Sequence, residues 1–322
     1  MPARRHLLLS ALAAPALIAP ARAQAPLTIY TAGPQNLIDS LVSGFRAAGG
    51  PAANVFQATT GRVMARLEAE RANPIADVVI SASWSSARDL KAQNLLLPYL
   101  PAAAAAVPPA LKDGHYVAQA VSGLGIVWNS RSGTPRPAEW DDLARPEFRN
   151  LVTLPDPAQS GSNFDLIAGL LAARGDAAWE LFAALRRNGA IVAGANQQAL
   201  NPVLQGAKAA VFGAVDYIAL EARARGESVE VIFPASGTVI APRPAMILAS
   251  SRNQEAARRF LDYMLSDDGQ RRIARLFLMP SRADIPAERP TIAELRVLGF
   301  DETAAEARRA DILARFRQVM GV

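Results

Sequence analysis

The 322-residue sequence contains no cysteine. That excludes a disulfide framework, a cysteine-ligated zinc or iron–sulfur centre and a thiol nucleophile. Histidine is nearly as scarce, with His6 and His115 the two present. His6 falls in an N-terminal leader, so a multi-histidine metal site is excluded and a Ser-His-Asp triad would have to use His115. That residue sits in Asp113-Gly114-His115-Tyr116 and reads as a surface-turn histidine. Lysine occurs only at Lys91, Lys112 and Lys208, and no basic block follows the leader. Nucleic-acid binding therefore has no sequence support. Beyond the N-terminus no run of about 18 apolar residues occurs, so no internal membrane span is expected. The Gly-x-Ser-x-Gly elbow, the GxxxxGK[ST] loop and the GxGxxG fingerprint are all missing. Carboxylates are common, but nothing singles out a pair for glycoside hydrolysis.

What is present is a large apolar fraction, 51%, against 20% charged residues. A chain of this length and composition builds a sizeable core, divided into two domains or lobes. Residues 1–25 read as a secretory signal: Arg4 and Arg5 give the positive start, 7–19 the short apolar stretch, and Ala21-Arg22-Ala23 or Ala23-Gln24-Ala25 a small-x-small cleavage site. The paired arginines suit a Sec signal or a twin-arginine signal. Either route predicts export to the periplasm. Removing Arg4, Arg5 and Arg22 leaves 31 basic residues against 29 acidic ones, a net charge of +2.

Hydropathy then alternates between two periods. Residues 27–31, 54–58 and 77–81 are β-prone, and each leads into a helical stripe. The first stripe is Leu37, Ile38, Leu41, Val42 and Phe45, with Pro34 placed at the helix start. Strands alternating with short helices predict an α/β fold with a mostly parallel sheet. A β-prone stretch at 116–128 leaves this first series. A second series follows: strands at 151–154, 190–192, 209–213 and 229–233, with helices between them. A strand at 245–248 and an amphipathic helix from 256 close the pattern. The predicted division is 26–119 for one lobe, 120–236 for the second, and 237–322 returning to the first, with the C-terminal helices folded back on it.

In open α/β sheets, ligands sit beyond the carboxyl ends of the strands. Small polar residues gather at those places: Gly33, Thr59, Thr60, Ser83, Ser160, Gly161, Ser162, Asn196, Asp216 and Tyr217. Helix N-termini there offer free N–H groups and partial positive charge. Ser160-Gly161-Ser162 reads either as an anion cradle or as a plain N-cap with a glycine turn. Thr59-Thr60-Gly61 carries the same two readings. Asp216 beside Tyr217 suits an ammonium group or a hard metal, or else a helix cap and a packed ring. Trp84 suits stacking on a ligand or a place in the core.

The strings LTIYTAGPQNLIDSLVSGF, ATTGRVMARLEAERANPIADVVISASW, PDPAQSGSNFDLIAGL and PASGTVIAPRPAMILASSRNQEAARRFLDYMLSDDGQ resemble solute-binding proteins of bacterial ABC importers. The similarity is to the ferric-binding and 2-aminoethylphosphonate-binding branch. It implies a two-lobed periplasmic-binding-protein fold of type II, with a hinged ligand cleft. It also implies a monomer that binds rather than transforms a small molecule and delivers it to a permease with ATPase subunits. The sequence departs from the ferric pattern, which presents adjacent tyrosines. Here the matching stretch, Gly213-Ala214-Val215-Asp216-Tyr217, has one. The expected ligand is therefore a small anionic or zwitterionic solute of phosphonate or phosphate-ester type. Its anionic end is expected on Ser160, Gly161 and Ser162, with Thr59 and Thr60 opposite and any amine facing Asp216. No cofactor is expected. The alternative is Fe3+ as the transported ligand, held by Tyr217 and Asp216.

Overall fold

A computed structural model describes residues 25–322. The expected secretory signal lies outside the described residues, Ala25 excepted. The first series is β1 (Leu27–Thr31), α1 (Gln35–Ala47), β2 (Ala53–Gln57), α2 (Thr60–Ala69), β3 (Val78–Ile80) and α3 (Trp84–Ala92). Leu37, Ile38, Leu41 and Phe45 bury the inner face of α1. Pro34 stands at its N-cap rather than inside the first turn. β1 pairs in parallel with both β2 and β3. The alanine- and proline-rich stretch after α3 forms 3-10 turns, followed by β4 (Lys112–Asp113) and β5 (Tyr116–Asn129).

The second series is β6 (Val152–Leu154), α4 (Gly161–Arg174), α5 (Ala177–Arg187), β7 (Ile191–Val192), α6 (Asn196–Leu204), β8 (Ala210–Val215), α7 (Asp216–Ala224) and β9 (Val229–Ile232). The chain returns through β10 (Ile240–Ile247), α8 (Gln254–Met264), α9 (Asp267–Arg275) and β11 (Met279–Pro280), and ends in α10 (Glu302–Ala307) and α11 (Arg309–Met320). The strands run β2-β1-β3-β10-β5-β8-β6-β7, with β4, β9 and β11 also on β5.

β5 joins the two halves. All fourteen of its residues are buried. Tyr116 to Gly123 bond to β10, and from Leu124 onward the partners are β8 and β9. The sheet therefore changes partners between Gly123 and Leu124. Parallel strands on each side aim their carboxyl ends at the same gap, which is where the first turns of α2, α3, α4, α6 and α7 lie.

β10 is longer than the sequence pattern predicts. Pro242 and Pro244 mask its first half, since a proline cannot donate to a ladder. Here β3 pairs only with Ala245, Met246 and Ile247, and the register against β5 slips between Arg243 and Pro244. Such a bulge re-aims the side chain beside it, and Arg243 is turned toward the gap.

The C-terminal helices divide between the halves instead of all returning to the first. α8 and α9 pack on α1, but α11 packs on α5, and α10 touches both α3 and α4. The reason is apolar: Ile312, Phe316 and Met320 of α11 are buried, and the Phe316 ring lies 5.6 Å from that of Phe182. The predicted return of 237–322 to the first lobe thus fails for α11, while α10 bridges the two halves. Among the described residues, no helix is long and apolar enough to cross a membrane.

Candidate functional site

Gly161 of the second half meets Ser83 of the first. A Cβ on Gly161 would lie 3.2 Å from the Ser83 Cβ, so glycine here lets α4 and α3 bring their N-termini together. A cavity of about 170 Å³ opens beside this contact, lined by Thr60, Ser83, Ser85, Gly161, Glu306 and Arg309. Residues of both halves and of the C-terminal segment therefore share one space. Its outer side is braced by ion pairs: Arg88 Nη2 lies 3.0 Å from Glu302 Oε2, and Arg309 Nη1 lies 3.2 Å from Glu306 Oε2.

Ser160, Ser162 and Asn196 form one connected group. Ser160 Oγ accepts from Asn163 N at 3.2 Å, which makes it the N-cap of α4. It also donates to Asn196 Oδ1 at 3.0 Å and lies 3.1 Å from Ser162 Oγ. The Ser162 hydroxyl is approached by Asn196 Nδ2 at 3.5 Å. Ser160 is thus occupied as a cap, and because its proton goes to Asn196, the Ser162 hydroxyl is the donor in the contact with Ser160 Oγ. Ser160→Ala is expected to cost about 1 kcal/mol of folding stability, read as a lower denaturation midpoint with unchanged slope.

Thr59 caps α2, accepting from Arg62 N at 3.4 Å, while Thr60 lines the cavity. Gly33 spends both backbone groups internally: its N–H donates to Thr31 Oγ1 at 2.9 Å, and its carbonyl accepts from Gln57 Nε2 at 3.0 Å. Its contribution is the missing side chain, since a Cβ there would stand 3.8 Å from Arg243 Nη2.

Two sequence expectations need correction. Trp84 is not free to stack on a ligand. Its ring meets Tyr116 edge-on at 5.0 Å and packs against the cluster of Tyr30, Val79 and Met246. Trp84→Phe is expected to lower stability by about 1–2 kcal/mol and to leave ligand affinity unchanged in calorimetry.

Asp216 is not open to an ammonium group or a metal. It is wholly buried, and its Oδ2 accepts from Arg289 Nη2 at 2.5 Å and Gly123 N at 2.6 Å. Its Oδ1 accepts from Tyr217 N at 2.7 Å. Gly123 admits this carboxylate because a Cβ would lie 2.8 Å from Oδ2. Burial pushes the carboxyl upward while Arg289 and the two backbone donors pull it back. The acid is consumed by a strut between the crossing strand and the C-terminal segment.

Tyr217 is buried beside Arg243, whose Cζ lies 5.9 Å from the ring centroid. Burial pushes its phenol up, against the pull of Arg243.

Arg243 is the residue that sequence reasoning missed. It is 3% exposed. Nη2 donates to the Ala32 carbonyl at 2.6 Å, and Nε is buried with no partner among the described residues. Buried arginine is ordinarily paired, as Arg289 is here. An unpaired one between Gly33 and Tyr217 is a cation without its anion. The available signal was an arginine between two prolines, Pro242 and Pro244.

Among the described residues, no cluster of three or more His, Asp or Glu is placed to hold a metal ion. A profile of the family described as bacterial extracellular solute-binding proteins matches residues 73–305. A putative 2-aminoethylphosphonate-binding periplasmic protein of Salmonella paratyphi A is 24% identical over 280 residues, covering 83% of this chain and 82% of that one. The periplasmic binding protein AfuA of Actinobacillus pleuropneumoniae, with exogenous fructose-6-phosphate bound, superposes with a TM-score of 0.82 at 19% identity, covering 92% of this chain and 99% of AfuA. Iron-bound HitA of Pseudomonas aeruginosa superposes with a TM-score of 0.80 at 19% identity, covering 92% of this chain and 99% of HitA. The fold is that of the two-lobed type II periplasmic binding proteins.

Proposed function

The chain belongs to the bacterial extracellular solute-binding protein family, and we propose that it is the periplasmic capture component of an ABC importer for a small organic anion of phosphonate or phosphate-ester type. It closes on the anion between its lobes and delivers it to a membrane permease driven by ATPase subunits. The observation that carries the anionic reading is Arg243, a buried guanidinium with an unpartnered Nε at the junction of both lobes. Burying such a charge is costly until an acceptor arrives, and a phosphonate or phosphate matches the planar donor fork of arginine. The names of the Salmonella relative and of AfuA agree with that class of ligand.

Fe3+ as the cargo is the weaker reading, because Asp216 is committed to Arg289 and Tyr217 stands beside a guanidinium, which repels a cation. Capture without turnover agrees with a family and structural neighbours that bind their solutes.

The test is native mass spectrometry of protein purified from the periplasm, with metal analysis of the same sample. One organic anion per chain, and thermal stabilisation of about 2.7 kcal/mol at a hundredfold excess over Kd, are the expected results. Stoichiometric iron with no response to phosphonates or phosphate esters would defeat the proposal.

A further inference from the structure

Residues 300–320 are anchored on the second half. Gly169 of α4 leaves room for Phe300, whose Cδ1 would stand 3.6 Å from a Cβ at that glycine. Asp301 caps α10, accepting from Ala304 N at 2.9 Å. Beyond α10, the Arg309 guanidinium lies over the Phe164 ring of α4, with Cζ 4.2 Å from the centroid. α11 then packs Phe316 on Phe182, and Arg186 of α5 donates to the carbonyls of Gln318 and Val319 at 3.3 and 3.2 Å.

Arg88 of α3 reaches this segment from the first half. Its Nη1 donates to Thr303 Oγ1 at 3.0 Å, and its Nη2 lies 3.0 Å from Glu302 Oε2. The second contact lacks hydrogen-bond alignment and is held by charge. Both side chains of the pair are 31% exposed, so solvent screens it only in part. Asp89 of α3, Asp165 of α4 and Glu306 of α10 share the seam with Glu302, and Arg88 and Arg309 are the cations that face them. Burial pushes the carboxyls of Asp89, Asp165 and Glu302 up. Acids outnumber arginines here, so the seam is attractive only while Arg88 is present. Glu306 and Arg309 also line the cavity beside Ser83 and Gly161. α10 is therefore carried by one lobe, gripped by the other, and forms one wall of the space between them.

We propose that α10 is an interlobe latch, in which Arg88 grips Glu302 and Thr303 and biases the lobes toward closure before any ligand arrives. A separation of the lobes that leaves α10 on α4 has to break that grip. A protein already biased toward its closed state loses less apparent affinity to the closing step. The latch does not depend on what the ligand is, and its test needs none, so its failure leaves the anion-capture reading untouched.

The test is the interlobe distance in the ligand-free mature chain, measured by double electron–electron resonance. The chain has no cysteine, so spin labels go only where Ala65→Cys on α2 and Gln197→Cys on α6 put them, both at exposed positions. With no other change, the short, closed distance is expected to dominate. Arg88→Glu is expected to lower the closed-to-open ratio about fivefold or more, since repulsion replaces attraction. Arg88→Glu/Glu302→Arg should restore most of it, because the pair re-forms with its charges exchanged. An unchanged ratio in Arg88→Glu overturns the latch, as does a chain that is already open before the substitution. A fall that the exchanged pair does not recover means that Arg88 acts through other groups, and overturns it too. A lower melting temperature at an unchanged ratio makes the contact an ordinary stabilising one and rejects the latch as well.

Discussion

In Arg243→Gln, affinity for a phosphonate or phosphate ester is expected to fall by about two to three decades, the loss typical when one member of a buried charge pair is truncated. The ligand-free protein should be as stable as before, or slightly more so. Both parts follow from one fact: the guanidinium is buried with Nε unpartnered and with Nη2 bonded only to a carbonyl. Without ligand, the folded state carries the desolvation cost of that charge. Glutamine keeps one donor for the Ala32 carbonyl and removes the charge. With ligand, the missing charge leaves the anion buried against neutral groups. Arg243→Lys should fall between the two, since an ammonium restores the charge but not the planar fork. Calorimetric affinity and the ligand-free melting temperature check the two halves separately. Unchanged affinity would remove Arg243 from the site, and a large drop in ligand-free stability would make it a structural residue.

How much of this was readable from the sequence depends on how local each signal is. β1 runs over Leu27–Thr31 as the apolar run predicts, because one strand with a glycine-proline stop carries its own boundary information. The α1 stripe is likewise local. β10 was half hidden, since Pro242 and Pro244 argue against a strand whenever both of its edges are assumed to be paired. The unpaired side and the register slip exist only in the assembled sheet.

The site shows the same division. Ser160, Gly161 and Ser162 are marked by a turn followed by a helix, and Gly161 of that stretch meets Ser83 of the first half. Whether the Ser160 hydroxyl is free depends on Asn196, 36 residues away. The role of Asp216 depends on Arg289, 73 residues away, in a segment without any motif. A sequence shows that an acid is present at a strand end, but not whether a distant arginine has neutralised it.

Arg289→Met is expected to be the most destabilising single change, at about 3–5 kcal/mol, the cost of leaving one member of a buried ion pair without the other. For a chain of this size that corresponds to a fall in Tm of roughly 6–20 °C. Both side chains of the pair are fully shielded from solvent, so water cannot take over from the lost cation. Arg289 also donates through Nη1 to the Phe277 carbonyl at 2.7 Å, holding a residue whose φ is +60°. The strut therefore ties α9 and its exit to the crossing strand at Gly123 and to the start of α7. The double variant Asp216→Asn/Arg289→Met should recover part of the loss, because an amide costs less to bury than an orphaned carboxylate.

Acidity gives a second readout with a definite sign. Without Arg289, burial raises the folded-state pKa of Asp216 further above its unfolded value. Folding then favours the protonated form, so the penalty is absent below the ordinary carboxylate range and grows as pH rises through the folded pKa. The gap between Arg289→Met and wild type should consequently narrow as pH falls toward that range. The double variant, which has no carboxylate there, should show no such narrowing. Denaturant titrations of the three proteins from neutral to mildly acidic pH measure it directly. A gap independent of pH would mean that the buried carboxylate is not the source of the instability. A site in which Asp216 served as a metal ligand would show the opposite pattern, with Asp216→Asn removing metal binding while costing the metal-free protein little.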